Sequence, residues 1–403
     1  MKDVSLAMVA LGGYGNFYLE RLFSNYDDHP FRLVAGVDPN PVGCRCLDRF
    51  ETHAVPIYPD LDSFYAENHA DLVIIAAPIH LHKPFTLKAL ARGSNVLCEK
   101  PVAATIQDAL EMAEAEATHE GFVAIGYQWS YAAAIQGLKK DILDGVLGKP
   151  LRFTTKVLWP RPLSYYNRNA WAARLKAPDG SWILDSPANN ATAHYLHNCF
   201  YVLGPTRETS ARPVDVEAEL YRANDIENYD TAAIRTHTEE GVEILFLTSH
   251  PVEENVGPAL KYEFEHAVVE LNSRGGTLTA VFEDGRTKDY GDPFLDDGAK
   301  IRECIDAVRT GSLPACGIEA ASSHTLCING AQESPDRIID FPESLIRRYT
   351  YGEETLVYVE GLLDVLQRCY ADAKLPSGYN DVAWAQAGRR LDLRGYNHYP
   401  FFT

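Results

Sequence analysis

Apolar and polar positions along the chain fall into two regimes. Up to about residue 128, short, predominantly apolar runs alternate with segments of helical period. The runs are SLAMVAL (5–11), FRLVAGV (31–37), DLVIIAAP (71–78), NVLC (95–98) and FVAIGYQ (122–128). Between them, NFYLERLF, KPFTLKALARG (83–93) and TIQDALEMAEAEATHEG (105–121) repeat their apolar residues three and four apart, the spacing of one helix face. Strands apolar on both faces, alternating with helices, predict a parallel sheet covered on both sides.

The second regime follows the helical stretch YAAAIQGLKKDILDGVLG (131–148). Runs at 151–158, 215–222, 231–237, 242–249, 260–270 and 276–282 mostly alternate apolar with polar residues, KYEFEHAVVEL among them. That is the pattern of a sheet with one covered face. SSHTLCING (322–330) reads as a helix packed back on this sheet, with His324 as a candidate for the cleft. ETLVYVEGLLDVLQRCYADAK (354–374) reads as an amphipathic helix, and the aromatic tail LRGYNHYPFFT ends the chain. The expected division is a nucleotide-type domain over 1–128, an α+β domain over 129–340, and an extension over 341–403 packing on the other domains or on a subunit partner.

Composition narrows the function. A chain of 403 residues is long enough for two cores, and no apolar run reaches the length of a membrane span. The start, MKDVSLAMVALGG, reads as a strand ending on glycines rather than as an export signal, so a cytoplasmic protein is expected. Eight scattered cysteines fit reduced thiols. Cys44 and Cys46 are the only close pair, and without a second pair no metal site is expected. The net charge of −19 argues against nucleic acid and anionic membranes, which bind basic patches.

Strand ends carry the candidate chemistry. Gly12-Gly13-Tyr14-Gly15 follows the first run and opens a helix, with Ala10 at the place of a first glycine. Such a turn lets backbone approach a pyrophosphate and offers it the N–H groups of a helix start. Asp38 closes the second run, 23 residues past Gly15. An acid there accepts hydrogen bonds from ribose hydroxyls and repels a 2′-phosphate, which favours NAD over NADP. The plainer reading is a turn aspartate before Pro39, and Arg45 nearby would soften the discrimination. Ala77-Pro78-Ile79-His80-Leu81-His82 and Glu99-Lys100-Pro101 stand where the third and fourth runs end. Doubly wound sheets bind ligands at such carboxyl ends.

With the glycine turn, Asp38, AAPIHLH (76–82), Glu99-Lys100-Pro101 and Gly126-Tyr127-Gln128, the chain resembles the glucose–fructose oxidoreductase / inositol dehydrogenase (Gfo/Idh/MocA) family over about residues 4–335. It departs at Ala10, where the family has glycine, and at Ile79, where it has asparagine. The resemblance implies an α/β protein: a Rossmann domain followed by an α+β domain with an open, mostly antiparallel sheet. It implies an NAD-dependent enzyme transferring hydride between the nicotinamide and a carbinol carbon of a sugar, glycoside or cyclitol. Implied cofactor contacts are Gly12, Gly13, Tyr14, Gly15, Asp38, Ala77, Pro78, His80, His82, Glu99, Lys100 and Gln128. A homodimer or homotetramer is also expected.

The resemblance places an aspartate and a histidine four apart on a helix of the second domain. Counting back from Gly204 puts them on Asn190 and His194; counting forward from Asp185 puts them on Asp185 and Asn189. A helix from about residue 188 keeps Asn190, His194 and His197 on neighbouring faces, which favours the first register. Lys100, Asn190 and His194 then form the catalytic group, with Lys100 and His194 handling the proton. Tyr166, Arg168 and Trp171, in a loop that also holds Trp159, Tyr165 and Arg174, suit a polyhydroxylated ligand. Tyr127, Trp129, Asp185 and His197 are further candidate contacts. Against each stands the plainer reading of a core aromatic or a core histidine. Two other functions use the same features: glycoside cleavage by transient oxidation with NAD restored, and a non-enzymatic NAD-bound sugar sensor.

Overall fold

The computed structural model describes residues 3–24 and 30–402. The first sheet is built from β1 (Val4–Val9), β2 (Phe31–Val37), β3 (Ile57–Tyr58), β4 (Leu72–Ile75), β5 (Asn95–Cys98) and β6 (Val123–Ile125). Their order is β3-β2-β1-β4-β5-β6, and every neighbouring pair is parallel. The order reverses between β1 and β4, and a ligand crevice opens at such a switch point. Alternate residues of these strands feed two cores. Ala7, Val9, Val73 and Ile75 face one, and Leu6, Met8, Leu72, Ile74 and Leu97 face the other. The second core is closed by Tyr18 and Leu19 together with Ile301, Cys304 and Ile305. The helix Ala299–Thr310, far down the chain, therefore covers the first domain.

The second sheet holds β7 (Pro150–Leu158), β8 (Pro213–Arg222), β9 (Thr231–Thr238), β10 (Glu243–Ser249), β11 (Val256–Phe264), β12 (Ala267–Leu271), β13 (Leu278–Phe282), β14 (Thr287–Gly291) and β15 (Ile339–Asp340). It runs β14-β13-β12-β11-β7-β10-β9-β8-β15. Only β7–β10 and β8–β15 are parallel along that path. Phe153, Ala218, Ile234, Phe246 and Tyr262 fill its inner face with Leu196, Phe200, Leu326 and Ile328, from the helices Ala193–Val202 and Ile318–Glu333. The run 260–270, expected as one strand, is two. The amides of Glu265 and His266 turn back to the carbonyls of Lys149 and Leu147 at 3.0 Å each, which ends β11 and starts β12.

The extension lies on this chain's own sheet. Leu158, Tyr221, Ala233, Leu245 and Leu247 on the outer face pack against Val359, Leu362, Leu366 and Cys369. The helix expected over 354–374 begins only at Leu362. Its first part, Glu354–Val359, is the strand β17, paired with β16 (Ile346–Tyr351), as its valines and tyrosine favour. Gly361, at φ +77, then turns the chain into the helix. Beyond it the tail straps two helices together. Tyr399 N–H donates to Gln107 Oε1 and Gln107 Nε2 to Tyr399 O, both at 2.9 Å, while the amides of Phe401 and Phe402 bond Glu333. Among the described residues no helix is long and apolar enough to cross a membrane.

Candidate active site

The turn after β1 is shaped by two glycines. A Cβ on Gly15 would stand 2.0 Å from the Ala10 carbonyl oxygen, so only glycine fits. Gly13 has φ +54, and nothing lies within 4 Å of the place its Cβ would take, so a ligand can approach the backbone there. Ala10 adopts φ +66, the left-handed conformation a glycine takes without strain. Tyr14, 41% exposed, stacks on Phe17 at 4.8 Å and donates from its hydroxyl to Gln128 Oε1 at 3.3 Å. The Asp38 carboxylate accepts from Leu11 N and Asn40 N at 2.8 Å each and is thereby fixed at the edge of the turn. Arg45 turns to Glu20 at 2.7 Å. An open turn at a helix start with a fixed acid beside it fits a dinucleotide: the turn suits the pyrophosphate and Asp38 a ribose.

Where β5 ends, Glu99 and Lys100 part company. Glu99 turns inward, 5% exposed, and its Oε1 accepts from Tyr18 Oη at 2.6 Å and Lys300 Nζ at 2.5 Å. Burial alone would raise its pKa, but Lys300, Lys100 and the Tyr18 hydrogen bond outweigh it and leave the carboxyl below its ordinary value. Lys100 turns outward and is half-buried. Its Nζ donates to the backbone oxygen of Asn190 at 2.7 Å and to Asn190 Oδ1 at 2.9 Å. Burial pushes the amine down to about 8, against the raising pull of Glu99 and Asp185. His82, 1% exposed, sits behind: its ring nitrogens lie 2.8 Å from Pro101 O and 2.9 Å from Ala77 O, tying the ends of β4 and β5.

Asn190 reaches Lys100 because the chain is not an ordinary helix there. Pro187–Ala191 is a single π-helical turn, capped by Ser186 Oγ accepting from Asn189 N, and Ala193–Val202 follows as a separate α-helix. Asn190 and His194 are therefore not stacked on one helix face as their spacing suggested. Asn190 Nδ2 donates to Asp185 Oδ1 at 2.7 Å. Asp185, 3% exposed, also accepts from Ala173 N at 2.6 Å and lies 3.6 Å from Arg168; burial raises its pKa. Asn189, the histidine place in the other register, is buried and donates to Leu184 O at 3.0 Å. His194 is half-buried, and its Nδ1 is buried without a hydrogen-bond partner. Burial, then the charges of Lys100 and Lys300, hold its pKa well below the ordinary histidine value, so the ring is neutral.

Residues 4–127 match the model of the oxidoreductase family with an NAD-binding Rossmann fold, Gfo/Idh/MocA. Over these residues the chain is similar to the Gfo/Idh/MocA family. The 2,7-anhydro-N-acetylneuraminate hydratase of Mediterraneibacter gnavus is 34% identical over 38% of this chain and 38% of its own length. The inositol 2-dehydrogenase of Acidothermus cellulolyticus is 29% identical over 37% of this chain and 43% of its own. The matches thus span about two-fifths of these relatives. The WlbA dehydrogenase of Bordetella pertussis, solved with NADH and UDP-GlcNAcA, superposes with a TM-score of 0.67 at 18% identity, covering 82% of this chain and 97% of that one. That likeness is one of fold, and it extends through both sheets.

Around the glycine turn, the expected cofactor contacts separate into two groups. Pro78, His80 and Gln128 are partly exposed beside the strand ends, whereas Ala77 is nearly buried and His82 and Glu99 lie behind the surface, held by carbonyls and by Lys300. Tyr127, Trp129 and His197, expected to line the cleft, are 0%, 1% and 0% exposed. Tyr127 stacks on His197 at 3.8 Å and bonds His324 Nδ1 at 2.9 Å. Trp129 packs edge-on to Tyr195 and Phe294, and His197 Nε2 meets Ser130 Oγ at 3.0 Å. Aromatic bulk drew them into the core between the domains. His324 is likewise buried, bonded to Ala188 O at 3.0 Å.

The loop between β7 and the π-turn divides in the same way. The Arg168 guanidinium lies over the Tyr165 ring at 3.9 Å and over Trp171 at 5.2 Å. Tyr166 bonds His250 Nδ1 at 3.1 Å. Trp171 packs against a small apolar cluster of Ile79, Ala104, Ala177 and Ile183. Ile79, in the asparagine's place, is thus the first domain's seat for this loop. Two residues of the site were invisible in the sequence. Lys300 and Tyr18 hold Glu99, and the one available hint was a strand-end carboxylate that, once buried, must find a partner.

Proposed function

We propose that the chain is an NAD-dependent oxidoreductase acting on a ring carbinol carbon of a sugar, glycoside or cyclitol, with Lys100 and His194 handling the hydroxyl proton. The supporting observation is the meeting of Lys100, at the carboxyl end of β5, with Asn190 from the other domain beside His194. NAD, when bound, supplies the hydride acceptor; Gly13, Asp38 and the start of the helix Gly15–Leu22 are the residues that would hold it. Lys100 has two of its three Nζ positions directed at Asn190 oxygens, which leaves one for the substrate hydroxyl. A neutral amine in that place takes the proton as the alkoxide develops. The His194 ring, neutral near pH 7, orients the same hydroxyl by hydrogen bonding. Tyr166, Arg168 and Trp171 form the wall against which the rest of the ring would rest.

A redox-neutral outcome is favoured by one observation, that one of the relatives is named a hydratase. The test separates both. Purified protein is incubated with NAD and a panel of sugars, cyclitols and nitrophenyl glycosides, then assayed for NADH and for released phenol. NADH accumulating with one ring alcohol supports the dehydrogenase. Phenol without net NADH replaces it by cleavage through transient oxidation, and neither product, with NAD bound, leaves a sensor.

A further inference from the structure

We propose that Asp185 governs the proton on Lys100 at one remove, as a positioning residue acting through the Asn190 side-chain amide. The inference rests on the reading of Lys100 as the proton-handling residue and goes beyond it by assigning the group that sets its state. The geometry is a chain of three side chains: Asp185 Oδ1 to Asn190 Nδ2 at 2.7 Å, then Asn190 Oδ1 to Lys100 Nζ at 2.9 Å. A carboxylate only accepts, so Asp185 must face the NH₂ end of the amide. That fixes the amide oxygen towards Lys100. The carboxylate is itself immobile, 3% exposed, with Ala173 N on its other oxygen and Arg168 at 3.6 Å.

Both partners of Lys100 Nζ are then neutral oxygens, Asn190 O and Oδ1. A charged ammonium would direct its third N–H away from them, and a neutral amine would direct its lone pair the same way. An acid at 190 would form an ion pair with Lys100 and hold the proton on it. With an amide interposed, Asp185 orients the amine without binding its proton. The other charges bearing on Lys100 are Glu99, Lys300 and Arg168. Glu99 is engaged by Lys300 and Tyr18, and Arg168 faces Asp185. His194, neutral, adds no charge. Among the described residues, Asp185 is thus the one carboxylate connected to the Lys100 amine by hydrogen bonds through a single intervening side chain.

The proton on Lys100 can be read without substrate or cofactor. Trace acetylation of the whole protein across pH 6 to 11, followed by mass spectrometry of the Lys100 peptide, gives the midpoint at which the amine becomes reactive. Asn190→Asp is expected to raise that midpoint, since the two carboxyls would share one proton and carry their negative charge into contact with the amine. Asp185→Asn is expected to lower it. In an Asn190→Ala background the charge of Asp185 still acts through space, so Asp185→Asn should move the midpoint by less than in the wild type but not by nothing, because the oriented amide oxygen no longer couples the two. An equal shift there would mean that Asp185 acts through space alone, and would overturn the relay; so would a midpoint that neither single substitution moves. Circular dichroism identifies any variant that fails to fold, and Asp185→Ser keeps the test open if Asp185→Asn is one. A midpoint that behaves as stated in a protein that reduces no NAD would leave the relay standing and remove the dehydrogenase reading instead.

Discussion

Lys300 and Glu99, 201 residues apart, meet at 2.5 Å beneath the end of β5, with the Tyr18 hydroxyl on the same carboxylate oxygen. Both ions are buried, and the pair joins the helix Ala299–Thr310 to the strand that carries Lys100. The ion pair supports the site from below, and among the described residues no carboxylate contacts the Lys100 amine above it.

Breaking this pair from one side should be costly. Lys300→Met leaves Glu99 buried without its cation, and is expected to destabilise the protein by about 3–5 kcal/mol. Urea unfolding followed by tryptophan fluorescence measures it. The double variant Lys300→Met/Glu99→Gln should recover most of the loss, because no buried charge remains; an additive result would show that the pair is not coupled.

On the proposed role of Lys100, its amine sets the pH dependence of turnover. The neutral amine is the form that accepts a proton, and burial brings the amine down to about 8. Alcohol oxidation should therefore rise with pH through about 8 and level off above it. His194→Gln should lower kcat while leaving this limb in place, since the histidine is already neutral. A limb near pH 6.5 that disappears in the His194 variant would make His194 the titrating group.

Asp38 should decide between the two nicotinamide dinucleotides. Asp38→Ser removes the charge that repels a 2′-phosphate and an acceptor for ribose hydroxyls. NAD affinity is expected to fall by about tenfold or more, a loss of about 1.4 kcal/mol, while NADP binding improves relative to NAD. Calorimetric titration with each dinucleotide reads both effects, and an unchanged ratio would remove Asp38 from the choice.

The extension should contribute stability rather than chemistry. Leu366 is fully buried against the outer face of the second sheet. Leu366→Ala is expected to cost about 2–5 kcal/mol, seen as a lower melting temperature, with NAD affinity unchanged. A loss of NAD affinity in the folded variant would show that the extension reaches the cleft.

Much of this architecture was legible because the hydrophobic pattern is strong where strands are buried on both faces. FRLVAGV and NVLC became β2 and β5 without change of bounds. The errors lie where local and tertiary preferences compete. The alternation of KYEFEHAVVEL continues through the turn at Glu265 and His266, so two strands read as one. The β-branched and aromatic residues of ETLVYV fit a helical period numerically, yet pair as a strand. At the proposed site, spacing pointed to Lys100, Asn190 and His194, and the structure brings Lys100 and Asn190 into contact; the π-turn that aims Asn190 was not legible, because a helix register carries no sign of an inserted residue. Tyr127, Trp129 and His197 were misplaced because an aromatic in the core and one in a cleft look alike in sequence. Lys300 could not be found, since nothing local links it to Glu99.

Lys100 is proposed to handle the proton of a ring alcohol oxidised by NAD. The most direct test of this role is single-turnover NADH formation by Lys100→Met beside the wild-type protein, with the ring alcohol the panel identifies. The variant is expected to fold and to bind NAD as the wild type does, and to lose about 10²–10⁴-fold of the rate. A variant that reduces NAD at the wild-type rate would contradict the claim.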